Sequence, residues 1–259
     1  MDLGIAGRNA LVCASSRGLG RACALELARA GARVVVNGRD PERLERVAQE
    51  IREETGAEII AVAGNVSDAA DRERLLAALP HVDILVNNNG GPPSRDFREI
   101  GHDDLIAGVE ANMIAPIMLI QRVIDGMVDR RFGRIVNITS GSVKMPLAGL
   151  DLSSGARAGL TGFVAGVARS VAHANVTINN LLPGAFDTDR IASLMGIAAE
   201  RTGRSVADIR KDRENGIPAR RFGRPDEFGA ACAFLCADRA GYITGQSLLI
   251  DGGAFPGII

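Results

Sequence analysis

Residues 9–20 read NALVCASSRGLG, and this stretch decides the fold. An apolar run ends in a loop of small residues, and a helical pattern follows from about Gly18 to Ala30. Gly18 and Gly20 permit close backbone approach to a pyrophosphate, and the helix N-terminus favours its negative charge. The order of strand, loop and helix therefore predicts a phosphate-binding turn, with an ordinary strand-to-helix turn as the alternative.

The same alternation continues to the end of the chain. Apolar runs rich in β-branched residues follow at RVVVN, AEIIAVA, VDILVN, RIVNITS, VTINNLLP and SLLID, with helical patterns between them. These runs are continuous rather than alternating, as expected for a parallel sheet covered on both faces. We predict one α/β domain over residues 1–259, built on a doubly wound parallel sheet. Two short helical patterns within 185–218 are predicted to form a lid.

Several helix boundaries can be predicted from single residues. Asp40 is expected to cap a helix whose first turn contains Pro41. The pattern indicates one long helix from about Asp103 to Arg130. A helix rich in Gly and Ala begins near Asp151, which is predicted to be its cap. Its small residues allow close contact with another helix: Gly155, Ala156, Ala158, Gly159, Gly162, Ala165 and Gly166.

Composition excludes several classes of protein. Thirty basic residues balance thirty-one acidic ones without a basic stripe, which argues against nucleic-acid binding. The N-terminus does not resemble a signal peptide and no apolar run reaches membrane-spanning length, so a cytoplasmic protein is expected. Four cysteines and three histidines match neither a disulfide framework nor a metal site. Cys232 and Cys236 are expected to pack in the core.

The residues at the end of the second apolar run indicate which nucleotide the protein binds. An NAD site places an acid there for the ribose hydroxyls, whereas this chain reads Asn37, Gly38, Arg39. Arg17 already lies in the glycine loop. Two arginines without a carboxylate suit a 2′-phosphate, because guanidinium binds phosphate bidentately. NADP(H) is therefore predicted over NAD(H), and two merely solvated arginines are the alternative.

Further motifs resemble the short-chain dehydrogenase/reductase family, closest to its 3-oxoacyl-acyl carrier protein reductase-like group. They are NNNG at 87–90, RIVNITSGS at 134–142, LLPGAFDT at 181–188, RFGRPDEF at 221–228 and YITGQSLLIDGG at 242–253. The resemblance implies a Rossmann-type fold, hydride transfer at a carbonyl, and catalytic positions at Asn112 and Ser140. It also implies a nucleotide site formed by Ser15, Ser16, Arg17, Gly18, Leu19, Gly20, Arg39, Asn65, Val66, Asn87, Arg157, Pro183, Gly184 and Thr188.

The catalytic tyrosine and lysine of that family are missing here. The family's tyrosine follows the serine by thirteen residues and its lysine follows four later, which gives Ser153 and Arg157. Tyr242 is the only tyrosine in the chain and is expected to pack. Serine is a far weaker acid, while Arg157 can still hold ribose hydroxyls. Losing a positioned acid costs roughly 10²–10⁴-fold in rate.

Other departures bear on the cofactor and on the proton donor. The first glycine of the family loop is Ala14, which strains the turn if that position needs a positive φ. The adenine-side aspartate is Asn65, whose donor–acceptor polarity differs. Lys144 is an alternative acid, although a solvated lysine is the more ordinary interpretation.

The leading hypothesis is an atypical NADP(H)-dependent oxidoreductase acting on a small, apolar carbonyl or alcohol substrate. A catalytically silent dinucleotide-binding sensor or regulatory protein is the alternative, and a scaffold that binds no nucleotide is a third. The resemblance implies a homodimer or homotetramer. An apolar pocket is expected from Pro92, Pro93, Phe97, Met145, Pro146, Leu147, Phe186, Ile191, Leu194 and Met195, which could equally belong to the core.

Overall fold

The computed structural model describes residues 2–91 and 95–258. Within them, a seven-stranded sheet has the order β3-β2-β1-β4-β5-β6-β7, and every pairing is parallel. The strands are β1 Asn9–Val12, β2 Arg33–Gly38, β3 Ile59–Ala63, β4 Ile84–Asn87, β5 Gly133–Ile138, β6 Val176–Pro183 and β7 Ser247–Ile250. The strand order reverses between β1 and β4, where sheets of this kind bind ligands. The predicted doubly wound sheet is confirmed.

Helices cover both faces of the sheet. They are α1 Gly18–Arg29, α2 Pro41–Thr55, α3 Ala69–Ala77, α4 His102–Val109, α5 Ala115–Asp129, α6 Asp151–Val171, α7 Asp189–Thr202, α8 Val206–Asn215 and α9 Pro225–Cys236. On β1, Ala10 and Val12 belong to one buried cluster, whereas Leu11 belongs to the other. Side chains of successive strand residues are therefore buried on opposite faces of the sheet. Because both faces are covered, the apolar runs are continuous rather than alternating.

The helix boundaries agree with the predictions at α2 and differ at α6. The Asp40 side chain accepts from the Arg43 backbone N–H at 3.1 Å, and Pro41 opens α2. The prediction that Asp151 caps α6 is wrong, because Leu150 holds the cap position without a side-chain bond. A turn in which the Leu150 N–H donates to the Leu147 carbonyl starts the helix one residue earlier. The Asp151 carboxylate lies in the first turn, where the helix dipole favours it.

The predicted long helix is interrupted by one wider turn. Residues Glu110–Ile114 are π-helical and join α4 to α5. The Ala115 N–H donates to the Glu110 carbonyl, and the next residue, Pro116, has no N–H to donate. Such a turn displaces the side chains around it and is frequent at functional sites. Asn112 lies at its centre.

Buried asparagines form a ladder across three strands near their carboxyl ends. Asn87 Nδ2 donates to Asn137 Oδ1 at 2.9 Å, and Asn137 Nδ2 donates to Asn180 Oδ1 at 3.1 Å. Asn180 Nδ2 continues to Ser247 Oγ at 3.2 Å. The residues are register partners in adjacent strands, so the ladder ties β4, β5, β6 and β7 together.

Outside the sheet, α7 and α8 occupy the predicted lid region. They share a small core of Met195, Ile209, Ile217 and Phe222. The expectation that Tyr242 packs is wrong, because its side chain is fully exposed. All four cysteines are buried, as predicted for Cys232 and Cys236. In the described residues we find no cluster of metal-ligating side chains and no helix long and apolar enough to cross a membrane.

Candidate active site

The glycine loop between β1 and α1 depends on two glycines and strains one alanine. Gly18 has a φ of +56°, and a Cβ at Gly20 would lie 2.4 Å from the Ala14 carbonyl oxygen. Ala14 has a φ of +45°, the left-handed region that costs an L-residue roughly 1–2 kcal/mol. The strain expected at Ala14 is therefore present, and the turn is kept in spite of it.

Buried polar side chains hold this loop against the neighbouring strands. The Ala14 N–H donates to Asn37 Oδ1 at 3.1 Å, and Asn88 Nδ2 donates to the Ala14 carbonyl at 3.1 Å. Ser15 Oγ donates to the Val12 carbonyl at 2.8 Å and accepts from the Asn37 N–H at 2.9 Å. The strained alanine is thus fixed on both sides of its peptide. Sequence reasoning missed Asn37 and Asn88 as supports, since only their tertiary position reveals the role.

Two arginines lie at the mouth of the loop. Arg17 precedes α1 and Arg39 follows β2, and both side chains are exposed. Neither guanidinium makes a hydrogen bond or an ion pair with a described residue. The carboxylate nearest to Arg39 in sequence, Asp40, is engaged as the α2 cap. Unengaged guanidinium groups in the glycine loop and directly after β2 favour an anion at these two segments.

The remaining predicted nucleotide contacts divide between side chain and backbone. Asn65 Oδ1 accepts from the Ser67 N–H at 3.2 Å, which leaves its Nδ2 as a donor. Val66 is buried, and the half-buried Leu19 packs against the core, so both side chains contribute to packing. Ser16 lies against Gly38, where a Cβ would be 2.8 Å from Ser16 Oγ. Asn87 is committed to the strand ladder.

The carboxyl end of β6 approaches both the glycine loop and the Ser140 loop. A Cβ at Gly18 would lie 3.8 Å from Thr188 Cγ2, and a Cβ at Gly141 would lie 3.2 Å from the Pro183 carbonyl oxygen. Gly184 is needed for packing, because a Cβ there would lie 2.6 Å from Asp251 Cβ. The three residues predicted at this end, Pro183, Gly184 and Thr188, therefore line one continuous edge with Gly18 and Gly141.

Arg157 is a buried cation without a carboxylate partner among the described residues. Its side chain is 8% exposed. Nη1 donates to the Ile138 carbonyl at 2.7 Å, Nε to Ser153 Oγ at 3.1 Å, and Nη2 to the Asn89 carbonyl at 3.5 Å. Burial, with a smaller contribution from the nearby charge of Arg190, lowers the pKa of Arg157 to about 10. The guanidinium is still charged at neutral pH and places positive charge beside Ser153.

Three serine hydroxyls form a connected chain beside that cation. Ser154 Oγ donates to Ser142 Oγ at 2.8 Å, and Ser142 Oγ donates to Ser140 Oγ at 2.9 Å. Ser140 Oγ also accepts from the Ser142 N–H at 3.1 Å. Ser142 is buried, while Ser140 and Ser154 are half-buried. Sequence reasoning identified Ser140 alone, since the roles of the other two depend on the turn after β5.

Asn112 lies in the π turn with half of its amide engaged. Its Nδ2 donates to the Gly108 carbonyl at 3.1 Å, whereas the buried Oδ1 has no described partner. Asn112 and Ser153 both line a cavity of about 240 Å³, so the structure brings these two predicted residues together. The cavity is bounded by Gly90, Arg95, Ile100, Asp104, Ala107, Gly108, Ala111, Gly149, Leu150 and Leu152.

The apolar pocket expected from sequence is formed only in part. Phe186 packs edge-on against Phe228, with ring centroids 5.2 Å apart, and Met195 lies in the lid core. Phe97 and Leu147 are exposed. Pro92 and Pro93 lie outside the described residues. The apolar side chains at the cavity come instead from Ile100, Leu150 and Leu152.

The comparison with known families decides the family of this chain. Residues 13–254 match the family model for "Enoyl-(Acyl carrier protein) reductase". The chain belongs to the short-chain dehydrogenase/reductase family. The resemblance to 3-oxoacyl-acyl carrier protein reductases inferred from the motifs is confirmed by curated relatives.

Similar proteins match this chain over nearly its whole length. The 3-oxoacyl-[acyl-carrier-protein] reductase FabG of Aquifex aeolicus is 32% identical over 98% of this chain and 100% of its own. The NADPH-dependent reductase BacG of Bacillus subtilis is 31% identical over 97% of this chain and 99% of its own. The L-sorbose reductase of Gluconobacter frateurii, solved with NADPH and L-sorbose, is 27% identical, has a TM-score of 0.95, and matches over 100% of both chains.

Proposed function

We propose that this short-chain dehydrogenase/reductase is an NADP(H)-dependent oxidoreductase for a small, apolar carbonyl or alcohol substrate. The observation that carries the proposal is the pair Arg17 and Arg39, exposed and unengaged, with Arg17 in the glycine loop directly before the N-terminus of α1 and Arg39 directly after β2. NADPH-dependent relatives and NADPH-containing structural neighbours support the same nucleotide. When bound, the nicotinamide supplies or accepts the hydride.

The chain's own residues bind this nucleotide in three regions. The N-terminus of α1 and the loop backbone of Ser15 to Gly20 hold the pyrophosphate. Arg17 and Arg39 bind the 2′-phosphate through charge-assisted hydrogen bonds. Arg157 donates to ribose hydroxyls at the other end. Further contacts are assigned to Asn65, Val66, Pro183, Gly184 and Thr188, and to the backbone around Asn87.

Ser140 and Asn112 position the reacting groups in this proposal. Ser140 Oγ donates to the substrate carbonyl oxygen and stabilises the charge that develops on it. Asn112 Oδ1 lacks a described partner at the wall of the cavity and accepts a hydrogen bond from a water or substrate donor there. Ser153 stands at the family's acid position, where Arg157 Nε donates to its oxygen. Turnover is expected to be slow, because serine is a weak acid.

Two apolar helix surfaces support a homodimer or homotetramer. Ile114 and Met118, one turn apart around the start of α5, and Phe163 on α6 are exposed. Gly155, Gly162 and Gly166 on α6 have no atom within 4 Å of a Cβ placed on them. This face can therefore receive a second helix closely.

A turnover screen tests the proposed activity. Nucleotide-free protein is incubated with NADPH and a panel of aliphatic ketones, β-keto esters and acetoacetyl-CoA, and NADPH oxidation is followed. Carbonyl-dependent oxidation that Ser140→Ala reduces at least tenfold is expected. Saturable NADPH binding without turnover of any carbonyl would instead favour a dinucleotide sensor.

A further inference from the structure

We propose that Ser142 and Ser154 form a proton relay that supplies Ser140, and that this relay replaces the missing tyrosine. The proposal rests on the reductase function proposed above. It assigns roles to two residues outside the family's catalytic positions. The basis is the chain of hydroxyls described at the end of β5 and the start of α6.

The hydroxyl contacts form a continuous path along which protons can move toward Ser140. The Ser142 N–H donates to Ser140 Oγ, and the Oγ–Oγ contact between the two serines can carry a hydrogen in either direction. Ser142 Oγ accepts from Ser154 Oγ. When Ser154 donates to Ser142 and Ser142 donates to Ser140, the Ser140 hydrogen is directed to the substrate oxygen, as a relay of protons to that oxygen requires.

The other hydroxyl at the site lacks such a connection. Ser153 Oγ has Arg157 as its only described hydrogen-bond partner. A guanidinium that stays protonated cannot resupply a proton each turnover. Ser154, by contrast, is half-buried, so its hydroxyl can exchange protons with water. A renewable source at Ser154 is the reason to assign proton delivery to the chain rather than to Ser153.

The relay balances as a concerted transfer. The carbonyl carbon receives hydride from the reduced nicotinamide, and the carbonyl oxygen takes the proton of Ser140. Ser140 takes the proton of Ser142, Ser142 that of Ser154, and Ser154 that of a water whose hydroxide is neutralised by solvent. The net reaction consumes one carbonyl, one NADPH and one proton, and yields one alcohol and one NADP⁺. Each serine ends as a neutral hydroxyl, and its hydrogen rotates back toward the substrate side before the next turnover; oxidation runs the transfers in reverse.

The test measures steady-state rates and solvent isotope effects with acetoacetyl-CoA and ethyl acetoacetate as probes. Ser142→Ala and Ser154→Ala are expected to lower kcat by about tenfold to 10²-fold, within the range of a lost acid–base group. NADPH affinity is expected to stay unchanged. A plot of the wild-type rate against the fraction of D₂O in the solvent should be curved, because several protons move together. The same plot for Ser142→Ala should be linear.

A rescue variant and a matched control complete the design. Ser154→Thr restores a hydroxyl at the half-buried position and is expected to recover most of the rate. Ser170→Ala removes an exposed hydroxyl from the far end of α6 and serves as the control. Rates of both alanine variants within twofold of wild type, with turnover intact, would overturn the relay alone. A wild type that reduces neither probe nor any panel carbonyl would overturn the reductase function and the relay with it.

Discussion

Ala14 carries a side chain in a backbone region that favours glycine. Its φ of +45° is maintained by bonds from Asn88 to its carbonyl and from its N–H to Asn37. The loop thus keeps a costly conformation through tertiary contacts, as strained residues at functional sites commonly do. Tertiary contacts also stabilise Arg157, whose guanidinium is buried without a described carboxylate partner. It donates hydrogen bonds to the Ile138 carbonyl oxygen and the Ser153 hydroxyl oxygen instead.

We therefore expect Ala14→Gly to stabilise the protein. The relief of left-handed strain exceeds the added chain entropy of glycine, for a net gain of about 1 kcal/mol in the free energy of unfolding. Urea denaturation with and without NADPH measures this change in the free energy of unfolding. Ala30→Gly is the control, because Ala30 has a φ of −82° and glycine relieves nothing there. A loss of stability in Ala14→Gly as large as in the control would contradict the strain.

At the scale of elements, the asparagine ladder holds the strands whose ends form the site. Asn137→Leu is expected to leave Asn180 Oδ1 unpaired, at about 1–3 kcal/mol for a buried group, and to leave Asn87 Nδ2 with only the long contact to the Pro116 carbonyl at 3.5 Å. Urea denaturation gives the difference. Thr177→Val on β6 is the matched control, since the buried Thr177 hydroxyl has no described partner and its removal should be neutral or stabilising. Equal effects of the two substitutions would argue against the ladder.

Elements were more predictable from sequence than the contacts between them. Strand runs, the Asp40 cap and the lid helices follow from local patterns, and the structure agrees with them. The π turn at Glu110–Ile114, the cap of α6 and the exposure of Tyr242 depend on neighbouring segments, so local patterns misplaced or missed them. The serine chain was missed for the same reason, because its members are separated by up to fourteen positions, from Ser140 to Ser154, and meet only through a turn.

At the scale of the whole molecule, we predict association through α5 and α6. Phe163→Glu places a charge on the exposed apolar face, which disfavours burial of that face between subunits. The molar mass measured by light scattering should therefore fall to that of a smaller assembly. Ile197→Glu, on an exposed position of the lid helix α7, is the control and should leave the mass unchanged. A monomeric wild type at micromolar concentration would contradict the prediction, as would an unchanged mass in Phe163→Glu.

Selective binding of NADP(H) is the central claim, and a nucleotide titration tests it most directly. Nucleotide-free wild type and the Arg17→Ala, Arg39→Ala double variant are titrated with NADPH and NADH while nicotinamide fluorescence is followed. The wild type should bind NADPH about tenfold or more tightly than NADH, because a charge-assisted hydrogen bond contributes roughly 1.5–3 kcal/mol. The double variant should lose that preference and keep its NADH affinity. No saturable response to either nucleotide, or a preference that survives both substitutions, would contradict the account.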